Sequence, residues 1–509
     1  AIDGNVIHFD RALEYDHEAP AADLHAYVAN YTRNVRFETE NADDLPVYQR
    51  GHVMLMHADT MDVRYAEFSD LGRTDKSERA FDVNELSSTQ YDTNVKARYP
   101  LHIHHGGVED IEDPVMLVGN AVWGSPGWGV VHHDSNAILA DNAVYDAFGA
   151  AFVAETGNET GRWSHNIAIK SIGVAGIGNL GNPKGADDVN SFDLGRTGAG
   201  FWFQGRIVDA VDNVAAGIPS GQAYVYFSRA GNDGAINVLS KTAPQPESLN
   251  YLDEAFIYQP AISQFVNNEA LASNVGFMVV KQNAEQGHDI HSVIDEFTAW
   301  EVRYGVHLEY TAHYIVKDTR LIASDNGQDG YGVGTGPNTL DLVVNNVDIV
   351  GFHTGVDLDK TVTFDGFNNA FEYFFIDVDI SGAAQDYRNL NGDPVLSGDS
   401  LIHQLKFDSG LGDFPLFETP GSWFMTLPGV KTDSLGDQDI YSVDVHRFRW
   451  EGLKGAIEEE GYWTLPDGRA VTVFERYFAD RTTGELIKVP TYVEIGGGVA
   501  YGEQYAGDG

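Results

Sequence analysis

The stretch that decides the fold is Asn120-Ala-Val-Trp123, which returns 22 residues later as Asn142-Ala-Val-Tyr145. Gly129-Val-Val-His132 lies between the two copies, and Phe152-Val-Ala-Glu155 follows at a similar interval. The same strand–turn–strand texture comes back in 294–300, 314–322 and 342–350. A repeat of about 20–27 residues is typical of a solenoid whose coil contains three short strands. We therefore expect an all-β protein, a right-handed parallel β-helix of the pectate-lyase-like kind.

Charge excludes several classes of partner. The sequence has 76 Asp and Glu residues against 32 Lys and Arg, which gives a net charge of −44. Such a surface repels nucleic acid and anionic membranes, so we expect neither as a partner. No apolar run approaches the roughly 20 residues that a membrane span needs, so we expect no membrane insertion.

The absence of cysteine bears on the source of the chain. Without cysteine there are no disulfides, which favours a bacterial or archaeal source over an animal extracellular domain. The sequence starts at Ala1 rather than at Met, as a processed or trimmed product would. Together these features predict a processed chain of bacterial or archaeal origin.

The texture of the sequence changes along the chain. Residues 1–45 are predicted to be strands that lead into the solenoid, and 46–399 to be the β-helix itself. An acidic loop is expected as an insertion at 74–96. Turn signals at Leu465-Pro-Asp-Gly-Arg469 and Asp480-Arg-Thr-Thr-Gly-Glu485 indicate antiparallel hairpins. Residues 400–509 are therefore predicted to be a separate β-module or a terminal cap.

Several strings resemble the β-helical core of the cell-migration-inducing hyaluronan-degrading protein and the transmembrane cell-surface hyaluronidase. The central one is Arg98-Tyr-Pro-Leu-His-Ile-His104, followed in order by Gly129-Val-Val-His132, Phe152-Val-Ala-Glu155 and Arg162-Trp-Ser-His165. The resemblance implies a parallel β-helix outside the cell that acts on hyaluronan or a similar glycosaminoglycan. The missing cysteines, the acidic insertion and the last hundred or so residues depart from the family pattern, so they leave the substrate open.

The coils of a β-helix stack polar side chains into columns, because equivalent positions lie about 4.8 Å apart. The alignment that follows the family pattern puts His104, His132 and Glu155 in one column. His102 then lies on the same side of its strand as His104, and His165 arrives one strand later. A register shifted by one residue brings in His105 and His133 instead, and the Asn120/Asn142 repeat favours that alternative.

Imidazoles beside a carboxylate predict a metal site or an acid–base pair. We expect zinc or another transition metal among His102, His104, His132, Glu155 and His165, and catalytic roles for His104, Glu155, His165 and Arg98. A solvated polar ladder is the structural alternative. Glu155 paired with Asp134 or Glu159 is a candidate for hydrolysis. The Asp-rich turn at 325–330 offers oxygen ligands to calcium.

An anionic sugar chain needs positive charge and flat apolar surfaces nearby. The cations expected to bind substrate are Arg162, Lys170 and Arg196, since guanidinium groups pair well with carboxylates. Indoles stack on sugar faces, so Trp128 and Trp163 are expected to line the site, with Trp123 and Trp202 in the same region. The leading hypothesis is a secreted enzyme that cuts an anionic polysaccharide, as a hydrolase or a lyase. The rival is a carbohydrate-binding or adhesin solenoid without catalytic activity.

Overall fold

The computed structural model describes the chain in segments. They are residues 2–3, 6–8, 12, 19–56, 60–78, 80–81, 94–108, 112–174, 195–227, 238–239, 242–243, 256–257, 260–280, 291–309, 311–324, 329–336, 339–358, 372–388, 394–396, 400–401, 422–426, 441–445, 458–464, 470–479 and 486–494. The chain divides into two units, Ala1–Asn30 and Tyr31–Gly509. In the first unit, Ile2–Asp3 pairs antiparallel with Val6–Ile7.

The second unit is a solenoid of parallel strands that form three sheets. The strands of the first sheet are Met54–Met56, Leu101–Gly107, the start of Val130–Ala140, Ala150–Ala154, Ala199–Phe203, the ends of Val214–Phe227 and Glu269–Val280, Tyr304–Leu308, Tyr331–Thr335, Thr354–Leu358 and Gln385–Arg388. Those of the second sheet are Asp62–Arg64, Val115–Val118, the end of Val130–Ala140, Thr160–Ser164, Val208–Val211, Phe265–Val266, Ser292–Asp295 and the starts of Ala312–Ala323, Leu340–Val350 and Glu372–Ser381.

The third sheet completes each coil. Its strands are Val35–Glu38, Ala66–Ser69, Ala121–Ser125, Ala143–Phe148, Ile167–Ile172, the starts of Val214–Phe227 and Glu269–Val280, Thr298–Val302 and the ends of Ala312–Ala323, Leu340–Val350 and Glu372–Ser381. Two short 3₁₀ helices, Ala42–Asp44 and Val47–Gln49, precede the first sheet. The expected parallel solenoid is therefore confirmed, while its handedness stays a prediction.

Antiparallel strands take over after Arg388. They are Pro394–Leu396, Ser400–Leu401, Ser422–Thr426 and Tyr441–Val445. Glu458–Thr464, Ala470–Ala479 and Leu486–Glu494 form a three-stranded antiparallel sheet, and Val238–Leu239 pairs antiparallel with Phe256–Ile257. The predicted division at 46 and 400 stays a prediction, although parallel pairing already begins at Val35.

Side chains alternate between inward and outward positions along each strand, and the inward ones form the core inside the coil. Aromatic rings of neighbouring coils stack there, with centroids 4.9 Å apart for Phe152 and Phe201 and again for Phe201 and Tyr224. A second apolar cluster lies on the outer face of the first sheet and includes Val131, Val153 and Trp202. The first sheet therefore buries apolar side chains on part of its outer face as well.

A buried ladder of asparagines marks the bend from the second sheet to the third. In each asparagine but the last, the side-chain Nδ2 donates to Oδ1 of the asparagine in the next coil at 2.9–3.1 Å, and the backbone N–H donates to the same oxygen. In all of them Nδ2 also donates to a carbonyl of the preceding coil. The ladder consists of Asn120, Asn142, Asn166, Asn213 and Asn268.

The residue before each ladder asparagine makes the bend itself. These residues adopt a left-handed backbone conformation, which glycine, asparagine and aspartate tolerate best. The positive φ angles are 67° at Gly119, 56° at Asp141, 55° at His165, 56° at Asp212 and 51° at Asn267. The repeat seen in the sequence therefore reflects a corner that recurs in successive coils.

Replacing Asn142 by alanine is expected to lower the free energy of unfolding by about 3–5 kcal/mol, because several buried partners lose their hydrogen bonds at once. Asn268→Ala should cost less, since Phe297 takes the next place in the column and Asn268 has one donor bond fewer. Chemical denaturation measures both values.

The exposed corner residue Asn346 provides the control. Its φ is 54°, and its side chain binds Asp318 on the surface. Asn346→Ala should cost only about 1–2 kcal/mol, the usual penalty for a side chain in the left-handed region. Equal losses for Asn142→Ala and Asn346→Ala would contradict a stabilising ladder.

Candidate functional site

Strand register brings a group of histidines together on the outer face of the first sheet. His104 pairs with His133 in the next strand, while Leu101 pairs with Val130. Because side chains alternate along a strand, His102 and His104 point outward and Leu101 and Ile103 enter the core. The imidazole centroids of His104 and His133 are 4.6 Å apart.

Glu155 adds a carboxylate from the third coil. Its backbone N–H donates to the carbonyl of His132, which continues the strand pairing. Its Oε2 lies 3.6 Å from Nε2 of His102 and 3.4 Å from Nδ1 of His133. We call His102, His104, His133 and Glu155 the histidine cluster.

The ring of His102 is held in one tautomer. Its Nδ1 lies 3.3 Å from the carbonyl oxygen of Ala97, which can only accept a hydrogen bond. Nδ1 therefore carries the proton, and Nε2 presents its lone pair to the cluster. Ala97 itself has a φ of 64°, a strained backbone for a residue other than glycine. A carbonyl that orients a ligating histidine in this way is a frequent feature of metal sites.

Burial keeps His102 neutral. The side chain is fully buried, and burial together with the neighbouring rings of His133 and His104 holds its pKa well below the usual 6.5. A neutral imidazole is the form that ligates a metal. One nitrogen each from His102, His104 and His133 all lie within 4.8 Å of one another. Three imidazoles and a carboxylate are a donor set suited to Zn²⁺ or a similar ion.

The expected column of His104 and His132 is wrong by one residue. His132 pairs with Ile103 and points into the core, where it contacts the carbonyl of Ser135 at 2.6 Å and accepts from Trp163 Nε1 at 3.3 Å. The error lies at Gly129, which the expected alignment set opposite Leu101; in the structure Leu101 pairs with Val130, and Gly129 precedes the strand. The alternative register is right for His133, which aligns with Glu155, but His104 rather than His105 pairs with His133.

His165 does not join the histidine cluster. It occupies a left-handed corner position of the coil, is mostly exposed, and lies 3.5 Å from Asp212. Its expected place among the metal ligands is wrong for that reason. Arg98 lies closer to the histidine cluster than His165 does. Its guanidinium donates to the carbonyl of Ala97, which also accepts from His102.

The tryptophans expected to stack on sugar rings are buried. Trp163 is fully buried inside the coil, and Trp128 is 3% exposed beneath Nζ of Lys76, 4.1 Å from its ring centroid. Trp202 is also fully buried, in the outer apolar cluster. The stacking role predicted for Trp128 and Trp163 is therefore wrong in this structure, because neither ring presents a free face.

The predicted cations serve different purposes. Arg196 is buried and donates to the carbonyls of Lys76 and Ser77, so it fastens the insertion. Lys170 lies on the third sheet and pairs with Asp146 at 3.0 Å. Arg162 is exposed on the second sheet. None of the three belongs to the histidine cluster.

Glu159 and Asp134 differ in their availability for acid–base chemistry. Glu159 is fully buried and accepts from the backbone N–H groups of Asp134, Thr156 and Gly157, so it acts as a structural cap. Asp134 is half-buried and faces His105 at 2.7 Å. Burial opposes its charge, but hydrogen bonds from His105 and Asn158 offset this and lower the pKa of Asp134. The His105–Asp134 pair was not foreseen, although the adjacent strings His104-His105 and His132-His133-Asp134 were a signal for it.

The calcium-binding turn expected at 325–330 has residues 325–328 outside the described part of the chain. Of the helices that the structure describes, none is long and apolar enough to cross a membrane.

Fold and cluster together define an all-β solenoid with a histidine- and carboxylate-lined site on one sheet. Residues 75–277 match the family model of the CEMIP beta-helix, which confirms the family resemblance. A G8 domain-containing protein of Dictyostelium discoideum is 25% identical over 250 residues, which are 47% of this chain and 16% of that protein. The chain thus spans about a sixth of the length of that curated relative. The matched range includes the histidine cluster and the first-sheet strands that carry it.

Exchanging His133 or His132 for alanine tests the register. His133→Ala should weaken binding of Zn²⁺ by tenfold or more, because one ligand of the cluster is lost. His132→Ala should leave Zn²⁺ binding within about twofold of the wild type but cost about 2–4 kcal/mol of stability, as a large-to-small change in the core does. Titration calorimetry and denaturation give the two readouts. The reverse pattern would restore the register predicted first.

Acidification should destabilise the protein through its buried histidines. Burial lowers the pKa of His132 to about 4, against 6.5 in an unfolded chain. The unfolded state therefore takes up a proton first as the pH falls, and this contribution is full above pH 6.5 and is lost toward pH 4. The expected loss from His132 is about 1.4 kcal/mol per pH unit in that window. Urea midpoints at a series of pH values should show a shallower slope for His132→Gln, and an unchanged slope would contradict this origin.

Proposed function

We propose that the chain processes an anionic polysaccharide outside the cell and cuts it at the histidine cluster, as a hydrolase or a lyase. The observation that carries the proposal is the convergence of three imidazoles and Glu155 on the outer face of one sheet, with His102 buried and fixed in its tautomer. A buried histidine whose pKa is held well below its usual value, beside other ionisable side chains, is a candidate for a functional site. The match to the CEMIP beta-helix supports a hyaluronan-type glycan as substrate.

The proposal includes a divalent metal ion held by His102, His104 and His133. Such an ion, when bound, neutralises a carboxylate of the sugar or acidifies a bound water. Glu155 would accept the proton that leaves the sugar or the bound water. Its Oε2 lies 3.4 Å from the ring of His133, one of the residues that would hold the ion. Arg98 is a positioning residue, since it donates to the carbonyl that orients His102.

The choice between hydrolysis and elimination depends on the second acid. Hydrolysis needs two carboxyl groups at a fixed separation. Asp134 is the candidate partner for Glu155, because it faces His105 whereas Glu159 is occupied by backbone N–H groups. Elimination needs a neutralised uronate and one base, which the cluster supplies without Asp134. Both routes use Glu155.

A cleavage assay on hyaluronan, chondroitin and alginate tests the proposal. Falling viscosity with rising ultraviolet absorbance of the unsaturated product indicates a lyase, and falling viscosity alone indicates a hydrolase. Glu155→Gln should slow cleavage by about 10²–10⁴-fold, the usual contribution of an acid–base residue. His104→Ala should abolish it.

His165→Asn serves as the matched control, because asparagine tolerates the left-handed corner and His165 lies outside the cluster. Its activity should equal that of the wild type. Unchanged viscosity with every polymer would favour the rival function, a solenoid that binds glycans without cutting them. Full activity of Glu155→Gln and His104→Ala would remove the histidine cluster from the reaction.

A further inference from the structure

A groove lies on the outer face of the second sheet, away from the histidine cluster on the first. Its volume is about 470 Å³, within the range of about 300–1,000 Å³ that is usual for ligand sites. Its walls combine the polar side chains of Arg162, Asp209, Ser263 and Thr160 with the apolar ones of Ile138 and Ile207. Arg162 pairs in register with Ile138 on one side and Asp209 on the other.

Arg162 is the unusual member of this groove. Within the described part of the chain it is exposed and makes no hydrogen bond or ion pair. Other described arginines are engaged: Arg64 pairs with Asp62, Arg303 with Asp329, and Arg196 binds backbone carbonyls. In a chain with a net charge of −44, an exposed cation that lines a groove and remains available favours an external anion.

We propose that this groove binds a carboxylate-bearing sugar of the anionic glycan, as a subsite separate from the histidine cluster. The inference rests on the proposed function for the class of ligand. Arg162 supplies the two parallel N–H donors that match a carboxylate. Asp209, which accepts from Ser263 Oγ at 2.5 Å, offers acceptors to the hydroxyls of the neighbouring sugar. Ile138, which is half-buried in the groove wall, packs against the apolar face of a ring.

Chain connectivity places the groove and the cluster on the same coils. The strand Val130–Ala140 carries His133 in the first sheet and bends into the second, where Ile138 pairs with Arg162. A polymer that crosses this bend contacts both sites. The groove therefore binds the glycan at a distance from the bond that is cut.

Binding of short hyaluronan oligosaccharides to uncleaving protein tests the proposal. We expect Arg162→Ala, in a His104→Ala background, to bind at least about tenfold more weakly, since a hydrogen-bonded ion pair of this kind is lost. The affinity of Arg162→Lys should lie between those of Arg162→Ala and the His104→Ala protein, because lysine keeps the charge but loses the paired donors. Oligosaccharides with methyl-esterified carboxyls should bind weakly, and equally to both proteins.

Arg303→Ala in the same His104→Ala background is the control. It removes one positive charge beside a first-sheet strand, outside the groove, and should bind the oligosaccharides as tightly as His104→Ala alone. Unchanged affinity of Arg162→Ala would overturn the subsite while leaving cleavage at the histidine cluster intact. Loss of affinity in Arg162→Ala, with no cleavage by the wild type, would uphold the groove and refute only the catalytic part of the proposed function. No binding of any anionic glycan would refute both.

Discussion

Everything in this molecule depends on the stacking of coil on coil in a fixed register. A slip by one residue turns every outward side chain into the core, so the register must be fixed by something other than backbone pairing. The asparagine ladder performs that task, because each amide binds both the coil before it and the coil after it. The left-handed residue before each asparagine then aims the chain into the third sheet. The buried asparagines thus fix the register that places the histidines on the outer face of the first sheet.

The sequence was sufficient for the fold but not for the site. Alternating apolar residues and the Asn120/Asn142 repeat predict a solenoid, and the ladder explains why that repeat exists. The pattern around residue 130 was ambiguous, because Gly129 can begin a strand or precede one, and His132 and His133 are identical in type. Only the pairing of the strands, with Val130 opposite Leu101, decides between them. Sequence also does not reveal burial, and so Trp128 and Trp163 could not be distinguished from exposed aromatic residues.

Electrostatics makes the few available cations more important than their number suggests. A strongly acidic surface opposes an acidic polymer at long range, but at physiological salt that opposition is screened within about 8 Å. Under the proposed function, local groups then decide where such a polymer is held. Imidazoles able to bind a divalent ion, Arg98 beside them and Arg162 around the bend are the local groups that the described residues provide.

The carbonyl of Ala97 that orients His102 lies directly after the acidic insertion at 74–96 and before the strand Leu101–Gly107. That insertion is fastened at its other end by Arg196, which comes from a much later part of the chain. The ring of His102 is therefore oriented by a carbonyl only five residues before it in the chain, where the inserted segment rejoins the solenoid. A change in the length of that insertion would move the group that fixes the histidine tautomer while the pairing of the coils stayed as it is.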